Sequence, residues 1–266
     1  MRSFFLLIVF SVLFVGGCFP ISQKAETTLN TAESVEQIRA NAEQGDAAAQ
    51  FNLGVIYYMG RGVQQDYSQA ATWYHKAAEQ GHAKAQTNIG VMYENGQGVP
   101  QGYSQAVDWY RKAAEQGSTD AQFNLGVMYD EGRGVQQDYN QAAAWYRKAA
   151  EQGDAAAQFN LGVMYYEGRV DPQDYNQAAV WYRKAAEQGH AKAQFNLGVM
   201  YRKGQGVPQD YAQAYMWVNL AAAKGLENAV KTRDNLVKKL TPSQIEEGQR
   251  LAREWISTHT KAQATQ

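Results

Sequence analysis

The side chains in this chain that could serve as nucleophile or imidazole base at neutral pH are one cysteine, Cys18, and four histidines, His75, His82, His190 and His259. Imidazole chemistry, whether metal binding or proton transfer, needs partners that converge in space. His82 and His190 occupy the same place in two well-separated copies of a repeating pattern, so they are read as solvated helix-start residues rather than ligands. The sequence contains no His-Glu-x-x-His pair, no Gly-x-Ser-x-Gly elbow, no Ser-x-x-Lys dyad and no Walker-type phosphate loop. Gly60-Arg61-Gly62 and its copies lack the third glycine of a dinucleotide loop. No catalytic residue, metal ligand or small-molecule cofactor is therefore expected, and a cell-wall-acting enzyme is the minor alternative.

Cys18 has a different setting. Arg2 precedes a run from Phe4 to Val15 that is apolar apart from Ser11, and Gly16-Gly17-Cys18 follows. A charged start, a short apolar stretch and small residues are the parts of an export signal. The run is shorter than the roughly 20 apolar residues a permanent span needs. Val15-Gly16-Gly17-Cys18 resembles the bacterial lipobox, which implies cleavage before Cys18 and a lipid anchor on its thiol. Phe19 in place of an aspartate implies sorting to the outer membrane. The expectation is an exported, periplasm-facing lipoprotein with a signal peptide over 1–17 and a lipid-attached tether over 18–31.

The charge balance narrows the partners. A formal net charge of -1 over 266 residues supplies no single-signed field for nucleic acid. The partner is expected to be a protein or peptide.

A strict period dominates the rest of the chain. Gly45, Gly81, Gly117, Gly153, Gly189 and Gly225 recur every 36 residues, as do Trp73, Trp109, Trp145, Trp181 and Trp217. Five repeats are read at 46–81, 82–117, 118–153, 154–189 and 190–225. In the first, Ala49, Leu53 and Tyr57 form one helical apolar stripe, and Ala70, Trp73, Tyr74, Ala77 and Ala78 form another. Gly60 and Gly62 break the chain between them, and Asp66 with Gln69 makes a capping-box-like start for the second helix. Gly102 replaces that Asp in repeat two, and Val170 replaces the second loop glycine in repeat four. Ordering 36 residues costs on the order of 50 kcal/mol, and one buried Leu or aromatic returns only about 1.5 to 3. A hairpin must therefore stack on its neighbours, so the fold class is an all-α solenoid of helix-turn-helix repeats. Capping helices are expected at 32–45 and 226–258, the last ending near Ser257, with a flexible tail over 259–266.

The segments 121–153 and 193–225 closely resemble the Sel-one-like repeat, a relative of the tetratricopeptide repeat. That resemblance implies a right-handed superhelix whose first helices line a concave, partner-facing surface. It also implies work as a scaffold or adaptor in the bacterial envelope, or as an immunity protein that neutralises a periplasm-delivered toxin such as a secreted lipase.

Helical geometry then proposes a site. With Leu53 facing the core, Phe51, Asn52, Val55, Tyr58 and Met59 point well away from it. Asn52, Asn88, Asn124, Asn160 and Asn196 would form an amide ladder suited to an extended peptide, or would bridge one repeat to the next. Specificity would come from the varying positions Tyr58, Glu94, Asp130 with Glu131, Tyr166, and Arg202 with Lys203. Their charges predict a partner with a basic middle and an acidic end. Arg111, Arg147 and Arg183 are read as solvated partners of the glutamates four residues on.

Overall fold

A computed structural model describes residues 34–170 and 172–264. The signal peptide, Cys18, the tether and the first residues of the expected N-terminal cap lie outside them. The described residues are helical and contain no strand. They group into two compact units that divide between Ala106 and Val107.

The first unit begins with α1 (Val35–Glu43), followed by the first-repeat hairpin α2 (Ala47–Met59) and α3 (Tyr67–Glu79), and then α4 (Ala83–Asn95). The division falls inside α5 (Tyr103–Glu115). The second unit contains α6 (Thr119–Glu131), α7 (Tyr139–Glu151), α8 (Ala155–Glu167), α9 (Tyr175–Glu187), α10 (Ala191–Lys203) and α11 (Tyr211–Ala223). It closes with α12 (Glu227–Val237) and α13 (Pro242–Ala264).

Local chemistry explains the helix boundaries. Each first helix starts on a side-chain cap three residues before its target amide: Asp46 to Ala49, His82 to Ala85, Ser118 to Ala121, Asp154 to Ala157 and His190 to Ala193. Each first helix ends on a left-handed glycine, Gly60 at φ 69° being the first. Gln65 Nε2 then donates to the Tyr58 carbonyl at 2.8 Å and ties the loop back to the helix end. The same tie recurs from Gln101, Gln137, Gln173 and Gln209. Asp66 caps α3 by accepting from the amides of Ser68 and Gln69. At the far end, the Thr241 amide donates to Gln244 Oε1 and the Gln244 amide to Thr241 Oγ1, a reciprocal capping box. α13 runs past Ser257 to Ala264, because no glycine or proline interrupts it there.

Glycine also decides how closely paired helices approach. A Cβ on Gly54, Gly126 or Gly162 would lie 2.5 to 2.6 Å from the ring of Tyr74, Tyr146 or Tyr182. Those buried tyrosines pack directly against the glycines of their first helices. Alanines at the remaining contacts, such as Ala142, Ala149 and Ala157, are fully buried. The repeat-four loop departs from its copies as its sequence predicts. Gly98 and Gly206 take φ near 70° with no room for a Cβ, whereas among the described residues no non-glycine residue, Val170 included, has positive φ.

Candidate functional site

The first helices present the expected face, with corrections to its assignment. In α2 the buried stripe is Ala49, Leu53 and Ile56, and Tyr57 is only partly buried. The helix turns 3.6 residues at a time, so i+7 rather than i+8 returns to the core. Phe51 and Val55, placed away from the core by the same angle, are buried at 9% and 2% exposure. Their equivalents Phe123, Phe159, Phe195, Val127, Val163 and Val199 are partly exposed. The phenylalanines pack within the repeat, since Phe51, Phe123 and Phe159 each lie 5.8 Å from the tyrosine of their own second helix.

The two histidines do start helices, but they are only partly solvated. His82 stacks on Phe51 and His190 on Phe159, both at 4.7 Å, while each Nδ1 accepts its cap hydrogen bond. Burial holds both rings below the usual imidazole range, His190 at about 4, with Lys192 and Lys224 adding to the effect.

Three of the five asparagines lean inward, in keeping with the bridging alternative. Asn88, Asn160 and Asn196 face the buried hydroxyls of Tyr74, Tyr146 and Tyr182, each on the preceding repeat. Burial drives those phenols far above their ordinary range, and the amides offset part of that. The Tyr74 hydroxyl nonetheless lacks a hydrogen bond of full geometry. Asn88 is buried, whereas Asn52, Asn124, Asn160 and Asn196 keep partial exposure.

The varying rim positions have partners that sequence reasoning did not assign. Tyr58 donates to Gln97 and Tyr166 to Gln205, each 39 residues on, in the next repeat's loop. Asp130 stands in the same register with Arg169, at 3.1 Å. Arg169 also reaches Glu167 at 2.6 Å, and Arg133 reaches Glu131 at 2.7 Å. Burial raises the Asp130 carboxyl, against the opposing pull of Arg169 and the Tyr146 hydroxyl. The acidic middle of the rim is thus largely neutralised within the protein. The Glu94 carbonyl accepts from Gln101. Arg202 and Lys203 have no ion pair among the described residues.

Two further sets join repeat to repeat. Gln50, Gln86, Gln122, Gln158 and Gln194 are buried, and each donates to an alanine carbonyl of the preceding helix. Their 36-residue recurrence is as regular as that of the tryptophans, and it was the available signal. The arginines read as glutamate partners instead donate to tyrosine hydroxyls 18 residues on: Arg111 to Tyr129, Arg147 to Tyr165 and Arg183 to Tyr201. On the second helices Lys76, Lys148 and Lys184 lie about 4 Å over Trp73, Trp145 and Trp181.

Among the described residues, no three of His, Cys, Asp and Glu come together as a metal would require. Fold and face define a helical-hairpin repeat protein whose recurrent polar side chains are used to join one repeat to the next. The chain belongs to the Sel1 repeat family, whose model matches residues 47–82, 83–118, 119–154, 155–190 and 191–226. Among solved structures it is similar to a protective antigen of uropathogenic Escherichia coli displaying an SLR fold. The two are 43% identical with a TM-score of 0.75, over 77% of this chain and 44% of that one. A Sel1 repeat protein from Oxalobacter formigenes is 37% identical with a TM-score of 0.68, over 76% of this chain and 58% of that one. The chain thus spans about half the length of these two relatives. No curated protein matches it.

Proposed function

We propose that this Sel1 repeat protein is a non-catalytic scaffold of the bacterial envelope that holds a protein or extended peptide along its first helices. The observation that supports the reading is the stripe on α6, α8 and α10. There Phe123, Phe159 and Phe195, with Val127, Val163 and Val199, stay partly exposed beside Asn124, Asn160 and Asn196. Apolar edges next to partly exposed amides, which keep hydrogen-bonding groups beyond the one that Asn160 or Asn196 gives to a tyrosine hydroxyl, suit a peptide backbone with alternating side chains. The second helices present tryptophans with a lysine already seated on the ring, which leaves less apolar surface to offer.

The membrane tether is part of the same reading. Cys18, the only cysteine, stands directly after an apolar run and Gly16-Gly17. Among the described residues no helix is long and apolar enough to cross a membrane. Cys18→Ala should abolish incorporation of a labelled fatty acid. Retained label would remove the anchor from the proposal.

The partner face is tested by placing a photo-cross-linking amino acid at Val163 on α8 and, separately, at the exposed Val180 on α9. Adducts from position 163 and not from 180, in cells producing the full chain, are expected. The reverse pattern would move the partner to the second helices.

A further inference from the structure

The register that pairs one repeat with the next runs out at Arg202. Tyr58 with Gln97, Asp130 with Arg169 and Tyr166 with Gln205 each join the end of a first helix to a loop residue 39 positions later. Arg202 is the next member of this series, but no sixth repeat follows to supply a loop. The start of α11, the end of α12 and the start of α13 come together there and leave a cavity of about 420 Å³.

Its lining is cationic and rich in donors. Arg202 and Lys239 contribute two positive charges, and Tyr211, Asn235 and Gln244 contribute hydroxyl and amide groups over an apolar floor at Leu236. Lys203 adds a third positive charge beside Arg202. Three of the acids on these elements are already engaged, and Glu246, two residues beyond Gln244, is exposed and outside the lining. Asp234 pairs with Arg233, Glu247 with Arg250, and Asp210 caps α11. Gln244 Oε1 is occupied by the Thr241 amide, so its remaining polar group is a donor. Guanidinium, ammonium and amide donors around an otherwise unneutralised hollow fit one kind of group, an anion with two acceptor oxygens.

We infer that this cavity is a carboxylate-binding site that receives an acidic side chain or the C-terminal carboxylate of the partner. The inference rests on the scaffold reading for its partner. It also sharpens that reading: the basic end of the rim is open to a partner, whereas the acidic middle at Asp130 and Glu131 is held by Arg169 and Arg133.

The test is calorimetric titration of the full chain with two peptides at low and at physiological salt. One peptide carries a Glu-Glu pair between blocked ends, and the other is neutral with a free C-terminal carboxylate. At least one is expected to bind, at least tenfold more weakly to Arg202→Gln/Lys239→Gln and less tightly as salt rises. Which one binds identifies the source of the carboxylate. The reversed variant Arg202→Glu/Lys239→Glu should bind a blocked Lys-Lys peptide instead, which protects the test from a variant that merely loses stability. If neither peptide binds, or if both bind the neutralised variant as tightly as the wild type, the site is overturned, whatever position 163 cross-links. If a peptide binds the cavity while position 163 captures nothing, the site stands and the first-helix reading fails.

Discussion

Lys224 stands where three earlier repeats place a bridging glutamine, and beneath it the buried Gln194 has a side-chain oxygen with no hydrogen-bond partner. Gln80, Gln152 and Gln188 each donate to the glycine carbonyl 35 residues earlier and to the oxygen of Gln50, Gln122 or Gln158. Lys224 reaches the Gly189 carbonyl but leaves Gln194 unserved. Lys224→Gln should restore the second bond and stabilise the C-terminal repeat by about 1 kcal/mol. Urea denaturation of the two proteins measures this, and an unchanged or lowered midpoint would contradict it.

His190 makes the fifth repeat sensitive to acid. Its folded pKa of about 4 lies below the roughly 6.5 of an unfolded histidine, so the unfolded chain takes up protons first as pH falls. The stabilisation is complete above about pH 6.5 and is lost progressively toward pH 4. Asp154, whose carboxyl burial raises, works in the opposite direction. His190→Asn keeps a capping acceptor that does not titrate, so the difference between the two proteins isolates the ring. The variant should lose less thermal stability than the wild type between pH 7 and 4.5; parallel melting curves would rule the ring out.

Gly162→Ala sets two effects of known size against each other. Helix propensity alone favours alanine by about 1 kcal/mol. The new Cβ would lie 2.6 Å from Cδ1 and 2.8 Å from Cε1 of Tyr182, a ring 2% exposed and with nowhere to move. Overpacking of that kind costs about 1 to 3 kcal/mol, so the substitution should destabilise on balance. A melting temperature at or above the wild type would show that the ring can shift.

The Asp130–Arg169 pair has a built-in control. Arg169→Gln alone should destabilise by about 1 to 2 kcal/mol, since it leaves both Asp130 and Glu167 without their counterpart, and Asp130→Asn should cost less, since Arg169 keeps Glu167. Asp130→Tyr with Arg169→Gln reproduces the pairs at Tyr58–Gln97 and Tyr166–Gln205 and should recover much of that loss. Additive losses in the double-mutant cycle would show that the 39-residue register carries no coupling.

The fold was legible in the sequence because it depends on local rules repeated five times. The 36-residue period, the glycines that end the first helices, the Asp66-type caps and the Thr241-Pro242 start all act within a few residues of themselves, and each appears where those rules place it. The candidate face was legible only in part. Helical angle put Phe123, Asn124 and Val127 away from the core, and they do keep partial exposure, but Phe123 also packs on Tyr146 and the copies Phe51 and Val55 are covered.

What the sequence determined by itself, then, is the repeat, its two helices and its boundaries, since backbone geometry and capping depend on near neighbours. Only the tertiary structure decided what each polar side chain does. The partners of Arg147, Gln152, Asp130 and His190 lie 18 to 39 residues away, or in a stacked ring, and stacking chooses them by distance and burial rather than by spacing. For that reason a rim read as running from apolar through acidic to basic became one with a neutralised middle and a basic end left open at Arg202.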